Sequence, residues 1–163
     1  MIKIELFKLN FLKALITFIT FSIVILGVVS YFIYNETLMG PIFISLGLFN
    51  FILLWLFKIK LVSVYADIIF GIIDNGILVF AAIIGGSIAG VPGAIVGGAA
   101  GNVITDGIGG LFEGHIAENQ RRYKIDNLRT ALSTSLGKMA GCLIGAGVAL
   151  FLVEIIKIYE IFL

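Results

Sequence analysis

Four acidic residues, Asp67, Asp74, Asp106 and Glu113, stand inside or at the rim of long apolar runs in the second half of the chain. Around them in the sequence are two amides, Asn75 and Asn102, the hydroxyls of Thr105, Ser133 and Thr134, and the lysine Lys138. Their spacing is helical. Asp67 and Asp74 are seven apart and share a face; Asn102, Asp106 and Glu113 form a stripe by steps of four and seven; Thr130, Thr134 and Lys138 follow steps of four. An ionisable group near the centre of a bilayer costs at least about 2.5 to 3.5 kcal/mol on insertion scales, so it persists where it is paired, hydrated or needed for transport. Carboxylate, amide and hydroxyl oxygens suit hard cations such as Na⁺, Ca²⁺ or Mg²⁺, whereas zinc, copper and iron lean on histidine and cysteine. The sequence has one of each, His115 and Cys142.

Each residue also has a structural reading. Asp106 and Lys138 fit either a cation site with its counter-charge or a buried ion pair that fixes helix register. Asp74, with no basic residue expected at its depth, is a cation ligand or else a protonated or helix-capping carboxyl. Asp67 and Glu113 lie near an edge, where water can reach them. His115 is expected in a solvated loop, Cys142 as a small packing residue between glycines, and Trp55 with the tyrosines near helix ends as interfacial anchors.

The elements that carry these residues follow from composition. With 60% hydrophobic and 13% charged residues in 163, the chain holds more apolar surface than a soluble domain of this size can bury. Lipid is the solvent that fits. A spanning helix takes roughly 20 apolar residues, and five such segments are predicted: 11–34, 41–57, 62–89, one from the 90–93 turn to about 113, and one from about 130 to the end. The first two, within 1–60, form an N-terminal pair. The other three, within 61–163, form a polar-centred core with a basic loop at 115–129. At about 1.5 Å rise per residue, Asp67, Asp106 and Lys138 fall roughly 10 Å from the inner edge, and Asp74 and Asn102 roughly 15 to 20 Å in.

Charge gives the orientation. Lys3, Lys8, Lys13, Lys58, Lys60, Arg121, Arg122, Lys124 and Arg129 all fall on one side of a five-helix chain. The positive-inside rule then puts the N-terminus inside and the C-terminus outside. Glycines recur every four residues at Gly93, Gly97 and Gly101 and again at Gly137, Gly141 and Gly145. Such stripes let helices approach closely, within one subunit or between two.

Several function classes are excluded or weak. A net charge of +1 gives no basic field for nucleic acid. One cysteine allows neither an intramolecular disulfide nor a thiolate cluster. No enzyme is expected: the single histidine has no partnered nucleophile, and the stretch from Gly85 to Gly110 lacks the Gly-Lys-Ser/Thr of a phosphate loop.

Three motifs, in order on successive helices, carry a resemblance: Gly71-Ile72-Ile73-Asp74-Asn75, Gly101-Asn102-Val103-Ile104-Thr105-Asp106, and Leu132-Ser133-Thr134-Ser135-Leu136-Gly137-Lys138. Together they resemble the transmembrane protein sixty-five family of the mitochondrial inner membrane, which is associated with sodium-dependent calcium efflux. The likeness covers roughly residues 67–150. It implies Asp74, Asn75, Asn102 and Asp106 as metal-site residues, with Ser133, Thr134 and Lys138 in the third motif; Thr105 stands where the family tends to have serine. Two additional N-terminal helices and the lack of a targeting segment point to a prokaryotic-type protein inserted in the cell membrane. The resulting expectation is a multi-pass cation transporter of the Na⁺/Ca²⁺ exchange kind, with no resident cofactor. Asp74 and Asp106 would be the principal ligands, Asn75, Asn102 and Thr105 neutral oxygen donors, Lys138 a counter-charge, and Asp67 and Glu113 possible additions. Two carboxylates are few for Ca²⁺, which makes a homodimer plausible. The alternative is a membrane scaffold or regulatory subunit whose polar centre is structural.

Overall fold

A computed structural model of the chain describes residues 2–35, 37–123 and 129–162, with the side chains of residues 2–7, 110, 113, 117, 120 and 158–162 outside the description. The described residues form four helices and no strand: α1 (Ile2–Tyr34), α2 (Met39–Leu56), α3 (Leu61–Arg122) and α4 (Ala131–Phe162). All four hold segments long and apolar enough to cross a membrane, with mean hydropathy between 2.0 and 2.4. The chain is thus an all-α protein of membrane-compatible helices.

Local chemistry sets the helix ends. The last carbonyls of α1 are taken up by side chains: Asn35 Nδ2 donates to the Tyr31 carbonyl at 2.7 Å and Thr37 Oγ1 to that of Phe32 at 3.0 Å. The second helix, expected from 41, starts two residues earlier, so Gly40 and Pro41 lie in the first turn of α2, where proline's missing N–H leaves no bond unmade. At the other end of α2, Ile59 N donates to Leu54 O and Lys58 N to Trp55 O, both at 2.9 Å, with Lys58 in the left-handed region at φ 55°. That is the paired-bond helix stop usually built on glycine. Thr130 and Ser133 cap α4 reciprocally: Ser133 N donates to Thr130 Oγ1 at 3.1 Å, and Thr130 N to Ser133 Oγ at 2.8 Å.

The sequence predicts five helices, and the predicted third and fourth are here the two arms of α3. Backbone angles leave the helical region only at Ala89 and at Gly90, where φ is +62°. Glycine takes that angle without strain. Beyond the turn the chain doubles back: Gly93 meets Gly85, Gly97 meets Ala81, Gly101 meets Leu78, and Gly109 meets the ring of Phe70. The arms, 61–88 and 91–122, are therefore an antiparallel hairpin. The second arm also continues past Glu113 to Arg122, so residues 115–122, predicted as loop, are helical.

Helix α4 is the hub, packed against α1, α2 and α3. Its contact with the first arm of α3 is parallel and in strict register: Gly137 sits on Val64, Gly141 on Ile68 and Gly145 on Ile72. Its contact with α2 is antiparallel, with Gly147 beside Ile44, Gly40 against Phe151, and Gly47 against Ile144. Both predicted glycine stripes are thus used within one chain. Phe21, Leu46 and Leu143 tie α1, α2 and α4 together, and Leu54, Val64 and Leu136 do so for α2, α3 and α4.

A methyl group at Gly141 would run into the Ile68 carbonyl. Gly141→Ala is expected to destabilise the protein by about 1 to 3 kcal/mol, the usual range for overpacking. Gly27→Ala, where nothing lies within 4 Å, is the control. Thermal unfolding in detergent followed by circular dichroism compares them, and equal melting temperatures would refute the close α3–α4 contact.

Candidate functional site

The hairpin brings two of the sequence motifs together. Asp74, half-buried on the first arm, accepts a hydrogen bond from Thr105 Oγ1 on the second at 2.5 Å. Thr105 is only 1% exposed. Its hydroxyl also lies 3.1 Å from the Gly101 carbonyl and 3.0 Å from that of Asn102, so one proton is shared among three acceptors. One helical position further round, Asn102 Nδ2 donates to Asp106 Oδ2 at 3.0 Å. Thr105 thus joins Asp74 across the arms, while the Asn102–Asp106 pair lies on the second arm and meets Thr105 only through the Asn102 backbone carbonyl.

The other predicted residues are placed differently. Asn75 turns toward α4, donating to the Cys142 carbonyl at 3.3 Å. Lys138 holds its Nζ 4.6 Å from the centre of the Phe70 ring, a cation–π contact. Asp106 is exposed, so a fully buried Asp106–Lys138 pair is not what the fold contains. Ser133 is buried in the α4 cap, and Thr134 is half-buried in the first turn of that helix. The Glu113 side chain, like Lys124, lies outside the described residues.

Asp67, which the sequence leaves between reaching water at the membrane edge and adding to the cation site, is wholly buried, away from edge water, and accepts from Arg129 Nη2 at 2.7 Å. Arg129 reads in the sequence as one more loop cation; in the fold it precedes α4 and reaches back to the first turns of α3. Two further polar residues carry weight that sequence reasoning missed. Glu154 accepts from the backbone N–H of Met39 at 2.6 Å and of Gly40 at 3.1 Å, capping α2 from the far helix. Asn50, wholly buried, donates to the Leu136 carbonyl at 3.1 Å. The signal for both was present, because a polar residue in an apolar run is itself costly.

Trp55, Tyr31, Tyr34 and Tyr123 are all strongly exposed. Among the described residues no three His, Cys, Asp or Glu side chains gather in a way that could hold a metal ion. Comparison with protein-family profiles, curated proteins and solved structures found no match. The class defined here is therefore an all-α protein with apolar, membrane-compatible helices and a carboxylate–hydroxyl contact between the arms of a helical hairpin.

Removing Arg129 would take a guanidinium from the wholly buried Asp67 carboxylate. Arg129→Ala is expected to destabilise the protein by about 3 to 5 kcal/mol, and adding Asp67→Asn to recover most of that loss. Chemical or thermal unfolding in detergent measures both. A double variant no more stable than Arg129→Ala would mean that the two side chains do not depend on each other.

Proposed function

We propose that the chain is a five-span, multi-pass cell-membrane protein that carries hard cations, in the manner of a Na⁺/Ca²⁺ exchanger. The observation that carries this reading is the Asp74–Thr105 contact across the α3 hairpin, continued by Asn102 and Asp106. Oxygen donors at such depth are expensive, and they are of the type that Na⁺ and Ca²⁺ take. Asp74 and Asp106 act as charged ligands, Thr105 and Asn102 as neutral donors, and Lys138 as the nearby counter-charge. Asn75, turned to α4, joins the ligand set only if its side chain rotates.

The span count rests on length. The apolar stretch Leu61–Ile116 has 56 residues, about 84 Å as one straight helix against a hydrocarbon core of about 30 Å. Folded at Gly90, each arm has the length of one crossing. The N-terminus then lies inside and the C-terminus outside, with the lysine and arginine clusters on the inner side. The second reading, a scaffold or regulatory subunit with a structural polar centre, is favoured by the lack of three clustered ligating side chains among the described residues.

Topology is checked in a Cys142→Ser background: a cysteine at Asn119 should be labelled only from inside and one at Thr37 only from outside. Labelling of both from the same side would remove one of the five crossings.

Transport is checked with purified protein in liposomes. A Na⁺ gradient should drive Ca²⁺ movement, and Asp74→Asn should abolish it while leaving the fold intact. Na⁺ or Ca²⁺ should raise the melting temperature of the wild type but not of the variant. No flux of either ion through the wild type supports the scaffold reading. Ion-dependent stabilisation that survives Asp74→Asn would remove Asp74 from the site.

A further inference from the structure

Three apolar segments, Met39–Leu56, Leu61–Ile116 and Ala131–Lys157, each have an end at the same place. There the turn after α2, the start of α3 and the cap of α4 enclose a cleft of about 260 Å³. Its polar wall is Lys58, Lys60, Ser63, Thr130 and Ser133; its apolar wall is Phe57, Ile59 and Leu132. No carboxylate lines it. Lys58 and Lys60 are exposed and, among the described residues, take part in no ion pair. The carboxylate on the first turns of α3, Asp67, is held by Arg129.

A helix that leaves the hydrocarbon layer meets phosphate, and the cleft lies where three apolar segments end. The two lysines supply N–H donors and positive charge. The start of α3 at Lys60 has no side chain capping its first N–H groups, and that partial positive charge reinforces the lysines. Beside them Trp55, Leu56 and Phe57 are 77%, 63% and 42% exposed, an apolar flank on which an acyl chain can lie. A phosphatidylcholine headgroup would bring its own cation against two lysines with no carboxylate to receive it. A phosphatidylglycerol headgroup brings negative charge alone.

We propose that this cleft is a docking surface for one anionic phospholipid, its phosphate held by Lys58 and Lys60 and its glycerol end resting on Phe57, Ile59 and Leu132. Charge complementarity carries the choice of occupant, since a basic pocket between helix ends at headgroup level suits an anionic lipid. The cleft joins α2, α3 and α4, so a lipid seated in it bridges three helices and stabilises their packing. This inference rests on those helices being membrane crossings, and it does not require cation transport.

The test uses the full chain in a neutral detergent, titrated with phosphatidylglycerol or phosphatidylcholine. Melting temperature and lipid retained in native mass spectrometry are the readouts. Phosphatidylglycerol should raise the melting temperature and stay bound as one molecule per chain, and phosphatidylcholine at the same concentration should do neither. Lys58→Gln with Lys60→Gln should weaken phosphatidylglycerol binding about twentyfold or more, at about 1 kcal/mol for each lysine. Lys8→Gln with Lys13→Gln removes the same charge from α1, outside the cleft, and should change binding by less than about threefold. Lys58→Gly separates the site from the fold. At φ 55° glycine is the unstrained occupant, so without lipid this variant should melt no lower than wild type, yet lose most of the lipid-dependent rise. Equal loss in the two double variants overturns the site in favour of diffuse surface charge. Equal binding of phosphatidylcholine, or the full rise with inorganic phosphate alone, overturns the anionic lipid as its occupant. Carbonate extraction separates these failures from failure of the membrane reading: a protein that resists extraction but shows no preference for phosphatidylglycerol removes the lipid site alone, whereas an extracted protein removes the crossings on which it rests.

Discussion

Helices in lipid gain little by hiding apolar side chains from one another, so the organising constraint is how closely backbones can approach. In this chain the constraint is met along α4. Gly137, Gly141 and Gly145 lie on Val64, Ile68 and Ile72, one turn at a time, and Gly71 faces the Lys138–Cys142 turn in return. That register sets the rotation of the first arm of α3. With 64, 68 and 72 committed to α4, Asp74 is turned toward the second arm, where Thr105 meets it. The Asp74–Thr105 contact is thus a consequence of glycine packing on the adjoining face.

The carboxylates are satisfied by donors of different kinds, and the kind decides what each can do. Asp67 has a guanidinium, which neutralises as well as binds it. Glu154 has two backbone N–H groups at the positive end of a helix. Asp74 has a hydroxyl and Asp106 an amide, donors that hold an oxygen in place without adding positive charge. The first two are built as struts. The second two are held by neutral donors.

Much of this was legible in the sequence, for reasons that can be traced to residues. Hydropathy and length mark the apolar segments, and the step of four at Gly93, Gly97 and Gly101 marks the face that closes the hairpin. The Asp74 and Thr105 motifs could be placed at related depths because rise per residue is fixed. What sequence could not give was azimuth. Depth alone put Lys138 level with Asp106, while the rotation of α4 lays its ammonium over Phe70. Arg129 was invisible as a partner for Asp67 because the two are 62 positions apart and one was counted as loop. The helix extending to Arg122 was missed because polar residues there end the apolar signal without ending the helix.

Glu154 carries a consequence for the order in which the molecule can be made. The first backbone N–H groups of α2 are completed by a side chain more than 110 positions later, and the long face of α2 rests on the same late helix. A chain emerging from a ribosome therefore makes α1, α2 and α3 before the helix they all pack against exists. During that interval α2 holds an open N-terminus, and Asp67 waits for Arg129. Native packing of α1, α2 and α3 is thus completed only once α4 has been made.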